Sequence, residues 1–144
     1  MIENDTIKLL RECDAGIKMG ISSINDVVGQ VESDGFRSSL QRSMSDHKKL
    51  DRQIQALLKR YHDDGKKPNP IAQKMSGMKT GAMLAMKPGD KTIAGLMTDG
   101  CDMGVKSLSR YLNQYEAADE QSKNIAKDLI NLEIRLCQEI RPYL

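Results

Sequence analysis

Apolar side chains recur three and four residues apart between Asn4 and Val31, at Ile7, Leu10, Ile17, Ile21, Ile24, Val28 and Val31. That spacing is one stripe of a long helix facing a partner. Asn4 or Asp5 can cap its start. Glu32-Ser33-Asp34-Gly35 has room only for a tight reversal, after which the stripe resumes at Phe36, Leu40, Leu50, Ile54, Leu57 and Tyr61. The pattern predicts two helices folded back on each other as an antiparallel hairpin.

The run Asp63-Asp64-Gly65-Lys66-Lys67-Pro68-Asn69-Pro70 ends that pattern, because Gly and two prolines close in sequence cannot continue a helix. A shorter helix is predicted from about Ile71 to Met86, closed by Pro88-Gly89-Asp90. A third long helix follows from about Asp90 to Glu116, with Val105, Leu108, Leu112 and Tyr115 on one side. After a hinge at Ala117 to Glu120, a fourth carries Ile125, Leu129, Leu132, Leu136 and Ile140, and Pro142 stops it. The expected organisation is one domain over 1–144: a hairpin at 4–63, a crossover at 64–89 and a second hairpin at 90–142.

The two hairpins look alike in sequence. Cys13-Asp14-Ala15-Gly16-Ile17-Lys18 aligns with Cys101-Asp102-Met103-Gly104-Val105-Lys106, and Asn25 then matches Asn113, giving five identities over thirteen positions. Average composition predicts about one. An internal duplication is therefore expected, and two like hairpins pack naturally about a pseudo-twofold axis. The first and third long helices then run antiparallel, and the second and third run parallel. A parallel pair needs a connection as long as the bundle; about sixteen helical residues supply roughly 24 Å at 1.5 Å each, and the flanking loops supply the rest.

Composition narrows the classes of function. The chain of 144 residues is 39% hydrophobic and 29% charged, but holds one Phe, four Tyr and no Trp, so its core must be aliphatic and methionine-filled. The formal net charge is +2, with Lys and Arg scattered among Asp and Glu. Without a basic stripe or stacking aromatics, nucleic acid is not an expected partner. No signal peptide or membrane-spanning run is read from the sequence. Cys13, Cys101 and Cys137 are an odd number without a CxxC pair, which reads as buried thiols in a reducing cytoplasm. No GxSxG turn, GxGxxG or Walker pattern is present, so Gly16, Gly20, Gly100 and Gly104 are read as sites of close helix approach.

The paired hairpins, the long crossover, the repeated CDxG(I/V)K element and the ending Arg141-Pro142-Tyr143-Leu144 resemble the ferritin-like superfamily. More closely they resemble its short uncharacterised bacterial members built from two tandem hairpins. The resemblance spans essentially the whole chain and implies an all-α, ferritin-like antiparallel four-helix bundle with a long crossover containing an additional short helix. Redox-active members hold two metals through inward glutamates and Glu-x-x-His elements. This chain has no Glu-x-x-His, and Ile17 and Val105 stand where small two-hairpin members carry an inward Glu. The resemblance therefore transfers no catalytic residue.

Ionisable residues nevertheless fall on each seam. The first passes through Asp14 and its duplicate through Asp102; the second passes through His47, with Glu133 at the matching place in the repeat. Counted from the turns, the four lie within about 6 Å of one level. Three carboxylates and an imidazole suit Fe, Mn or Zn. Ion pairing of Asp14 and Asp102 with lysines, and a neutral core His47 hydrogen-bonded to a carboxylate, is the competing reading, with no cofactor. On the crossover, Met75, Met78, Met83 and Met86 among Ala, Gly and Lys form an adaptable apolar surface, read as a lid or a homodimer contact ahead of a membrane-surface contact. The favoured function is a non-enzymatic interaction or structural protein that self-associates. The alternative is a degenerate ferritin-like metal binder using Asp14, His47, Asp102 and Glu133.

Overall fold

The computed structural model describes residues 2–144 and contains five α-helices: α1 (Ile2–Val27), α2 (Asp34–Arg60), α3 (Pro70–Met86), α4 (Asp90–Gln114) and α5 (Glu120–Ile140). No strand occurs among the described residues. Local sequence accounts for most boundaries. Ser33 caps α2, its Oγ accepting the Phe36 N–H at 3.3 Å; Asp119 caps α5 through the Ser122 N–H at 2.8 Å. Asn69 caps α3 with Pro70 in the first turn, where the missing N–H costs nothing.

Two boundaries differ from the sequence expectation. The apolar stripe runs on to Val31, but α1 stops at Val27 and Val28–Gln30 tightens into a 3-10 turn before Val31 becomes extended. The chain must begin its reversal there, and a tightened last turn is a common way for a helix to end. At the other end α1 is already helical at Ile2, so Asn4 and Asp5 lie inside its first turn. Asp5 instead accepts the Ala117 N–H at 3.1 Å, and Thr6 Oγ1 accepts the Asp119 N–H at 2.8 Å. These residues tether the α4–α5 connection to the start of α1.

Contacts at the two ends of the bundle fix the direction of each helix. Asp90, at the start of α4, accepts the Glu32 and Ser33 N–H groups at 2.9 Å each, so α4 begins beside the α1–α2 turn. Asp119, at the start of α5, accepts the Tyr61 hydroxyl at 3.2 Å, so α5 begins where α2 ends. Hence α1 is antiparallel to α4, α2 is parallel to α4, and α3 travels the length of the bundle between them. Tyr143, in the 3-10 turn after α5, stacks on Phe36 with ring centroids 4.6 Å apart, and Gly35 leaves the space its hydroxyl occupies.

The core is aliphatic and divides in two. One cluster gathers Leu9, Leu10, Ile17, Leu50, Ile54 and Leu129; the other gathers Ile24, Phe36, Leu40, Ile93, Met97, Leu136 and Ile140. His47 and Glu133 lie in the interior beside this division, both buried. Helix α3 stands outside the core, with Leu84 the one residue of its seventeen that is buried.

Candidate functional site

Polar groups inside an aliphatic bundle need partners, and His47 has one on each ring nitrogen. Its Nδ1 lies 2.7 Å from the Ser43 carbonyl oxygen one turn earlier on α2, and its Nε2 lies 2.8 Å from Glu133 Oε1 on α5. A carbonyl only accepts, so Nδ1 carries a proton. The Nε2···Oε1 contact then holds one further proton. Burial by itself would push the imidazole pKa down, but the hydrogen bond to Glu133, its charge and the Ser43 carbonyl outweigh burial and raise it.

The four sequence-selected ionisable residues do not converge. His47 and Glu133 meet, whereas Asp14 and Asp102 go elsewhere. Asp14, fully buried, receives Gln55 Nε2 at 2.8 Å and Lys18 Nζ on Oδ1, and the Lys66 backbone N–H at 3.0 Å on Oδ2. It anchors the first residues of the crossover. Gly65, at φ +79°, makes this possible: a Cβ there would fall on the Asp14 carboxylate. Asp102 is exposed, with the Cys137 thiol 3.9 Å from its Oδ1. The difference is in what lies alongside, since the crossover loop covers the Asp14 side and supplies an N–H there. Among the described residues no three His, Cys, Asp or Glu side chains gather as metal ligands do. With Asp14 already holding three donors and Glu133 holding His47, the residues do not fit a ferritin-type metal pair, and no chemical step is assigned to one.

The thiols are inward. Cys13 is fully buried, and burial, reinforced by Glu12 and Asp14, pushes its pKa up to about 12. Burial likewise raises the Cys101 pKa, helped by the charge and hydrogen bond of Glu133 beside it. Neither is poised as a nucleophile, which requires a thiolate.

The glycines do something other than admit a neighbouring helix backbone. A Cβ on Gly20 would stand 2.9 Å from His47 Nε2, and one on Gly104 would stand 3.6 Å from Glu133 Cγ. A Cβ on Gly100 would meet nothing within 4 Å. Together these glycines border a cleft of about 490 Å³ between α1 and α4, covered by α3 and floored by His47 and Glu133. Sequence reading missed the cleft; its only signal was the i, i+4 glycine pairs on α1 and α4.

On the outer side of α3, Met75 and Met78 are about two-thirds exposed, Met86 is 82% exposed and Met83 is 41% exposed at the flank. Ile71, 71% exposed, extends the same stripe. No helix among the described residues is long and apolar enough to cross a membrane. No family model matches the chain, and no curated protein or solved structure matches it.

Proposed function

We propose that this chain is a ferritin-like helical bundle without enzymatic activity, an interaction protein of the reducing cytoplasm that pairs with a second copy of itself through the outer face of α3. The observation that carries this reading is the orientation of α3. Ile71, Met75, Met78, Ala82 and Met86 follow steps of four and three residues, the spacing of a helix–helix seam, and they face away from the chain's own core. A helix that buries only Leu84 against its own bundle gains little from it, and large contiguous exposed apolar patches mark contact surfaces. Twofold pairing lets one such stripe cover its own copy.

The ferritin-like assignment is supported by the antiparallel α1–α4 order and the spanning crossover. The absence of any Glu-x-x-His and the closed His47–Glu133 pair favour a structural interior over a catalytic one.

Lys74 and Lys79 border the stripe, and no acidic residue lies between Asp64 and Asp90. Lysines brought together by a twofold axis repel, so salt should strengthen the pairing. Light scattering on wild type and on a Met75→Lys, Met78→Lys variant tests the proposal; both positions are exposed, so the fold should persist. Wild type should scatter as a dimer, more completely at higher salt, and the variant as a monomer. A monomeric wild type, or a variant that remains dimeric, rules the proposal out.

A further inference from the structure

The cleft beneath α3 offers a second surface, independent of the outer stripe. The space measures about 490 Å³ and is partly open to solvent. It lies in the size range of small-molecule sites. Small residues on all three bordering helices create it: Gly16 and Gly20 on α1, Gly100 and Gly104 on α4, Ala72 and Ser76 on α3. A larger side chain at Gly20 would meet His47 and one at Gly104 would meet Glu133, so the space depends on residue choice at separate places.

The floor supplies a polar anchor. Glu133 is 9% exposed, and its Oε1 is taken by His47. Among the described residues no N–H or hydroxyl donor reaches Oε2, which lies on the Gly104 side of the cleft, 3.7 Å from where a Cβ of Gly104 would stand. The Cys101 thiol is the neighbouring group, and a thiol is a weak donor. Oε2 is open to a cleft whose walls are mainly apolar, so a partner held there can complete it. That partner must donate a hydrogen bond, and the rest of it must be apolar.

We propose that this cleft binds a small, largely apolar molecule whose amine or hydroxyl head group donates a hydrogen bond to Glu133 Oε2, with α3 as its cover. His47 acts as the positioning residue: by holding Oε1 it fixes the carboxylate and leaves Oε2 turned to the ligand.

The test uses 1-aminoanthracene, a fluorescent apolar amine, with n-decylamine, n-decanol and n-decanoate as competitors. One dye should bind per chain, displaced by decylamine and decanol at concentrations about tenfold below those of decanoate, a factor typical of one hydrogen-bonded head group. Gly100→Leu and Gly104→Leu fill the cleft while raising helix propensity, and should weaken dye binding at least about tenfold. In Glu133→Gln the amide oxygen can keep the His47 hydrogen bond while its NH2 faces the cleft. The order of competitors should then reverse in favour of decanoate. Failure of the wild type to bind the dye, or binding unchanged in both leucine variants, overturns the proposal. Binding abolished by Met75→Lys, Met78→Lys would place the dye on the outer stripe and overturn it as well. An unchanged order of competitors in Glu133→Gln overturns the assignment of the head group.

Discussion

Replacing Gly20 by Ala asks whether the bundle interior is arranged around His47. In a helix interior, Gly→Ala ordinarily stabilises by about 1 kcal/mol. Here the added Cβ would stand 2.9 Å from His47 Nε2 and 3.0 Å from its Cδ2, with Glu133 Oε1 only 3.6 Å away. The ring is fully buried and held on both nitrogens, so it cannot swing aside without losing the Glu133 contact. A hydrogen bond to a charged group is worth about 1.5–3 kcal/mol. The loss exceeds the propensity gain, and Gly20→Ala should destabilise by about 0.5–2 kcal/mol. Gly95→Ala on α4, where a Cβ meets nothing within 4 Å, supplies the control and should show the gain alone. Urea unfolding of the two variants should therefore differ by about 1.5–3 kcal/mol, and the His47 Nε2–H resonance should move only in Gly20→Ala. Equal stabilisation by both substitutions would refute the placement of His47 against α1.

Three further outcomes are expected. Gly65→Ala forces a left-handed alanine, costing about 1–2 kcal/mol, and drives a methyl into the carboxylate of Asp14, breaking the Lys66 N–H contact; urea unfolding should show a loss of about 3 kcal/mol, and a loss below about 1 kcal/mol would contradict the anchoring role. His47 faces Glu133 from α5, Asp46 from its own helix and uncharged Gly20 from α1, with the Cys101 thiol of α4 beside Glu133; its raised pKa means that its contribution is complete below the unfolded value near 6.5 and disappears as pH rises through the folded value. The stability advantage of wild type over His47→Gln should accordingly shrink as pH rises above about 6.5, and an advantage that grows would reverse the assignment. Ellman's reagent at about pH 8 should leave Cys13, Cys101 and Cys137 unmodified in the native protein and modify all three after denaturation, so rapid native labelling would contradict their burial.

The helices were legible because their signals are local: apolar spacing, Ser33, Asn69 and Asp119 as caps, and the Gly and Pro breaks. The order of the helices was legible because the middle segment is long enough to travel the bundle. Periodicity put His47 on an inward seam, the match between the hairpins put Glu133 at the corresponding place, and the two meet. Asp14 and Asp102 share a motif but not a fate, because a carboxylate's partners come from elsewhere in the chain. At Asp14 the motif supplies Lys18, but Gln55 and the Lys66 N–H, which bury and anchor it, lie outside the motif. The cleft was illegible for a related reason. A helical glycine admits a backbone, a side chain or empty space, and only the spacing between helices decides which. At Gly20 it is a side chain; at Gly100 it is space.

Self-association through α3 is the central claim, and hydrogen exchange measured at several protein concentrations tests it most directly. A stripe exposed in the single chain and covered in the pair should give α3 amides, from Pro70 to Met86, protection that rises with concentration. Amides of α1, α2, α4 and α5 should exchange at concentration-independent rates. Protection of α3 that stays the same across the series, or a rise confined to another helix, would contradict it.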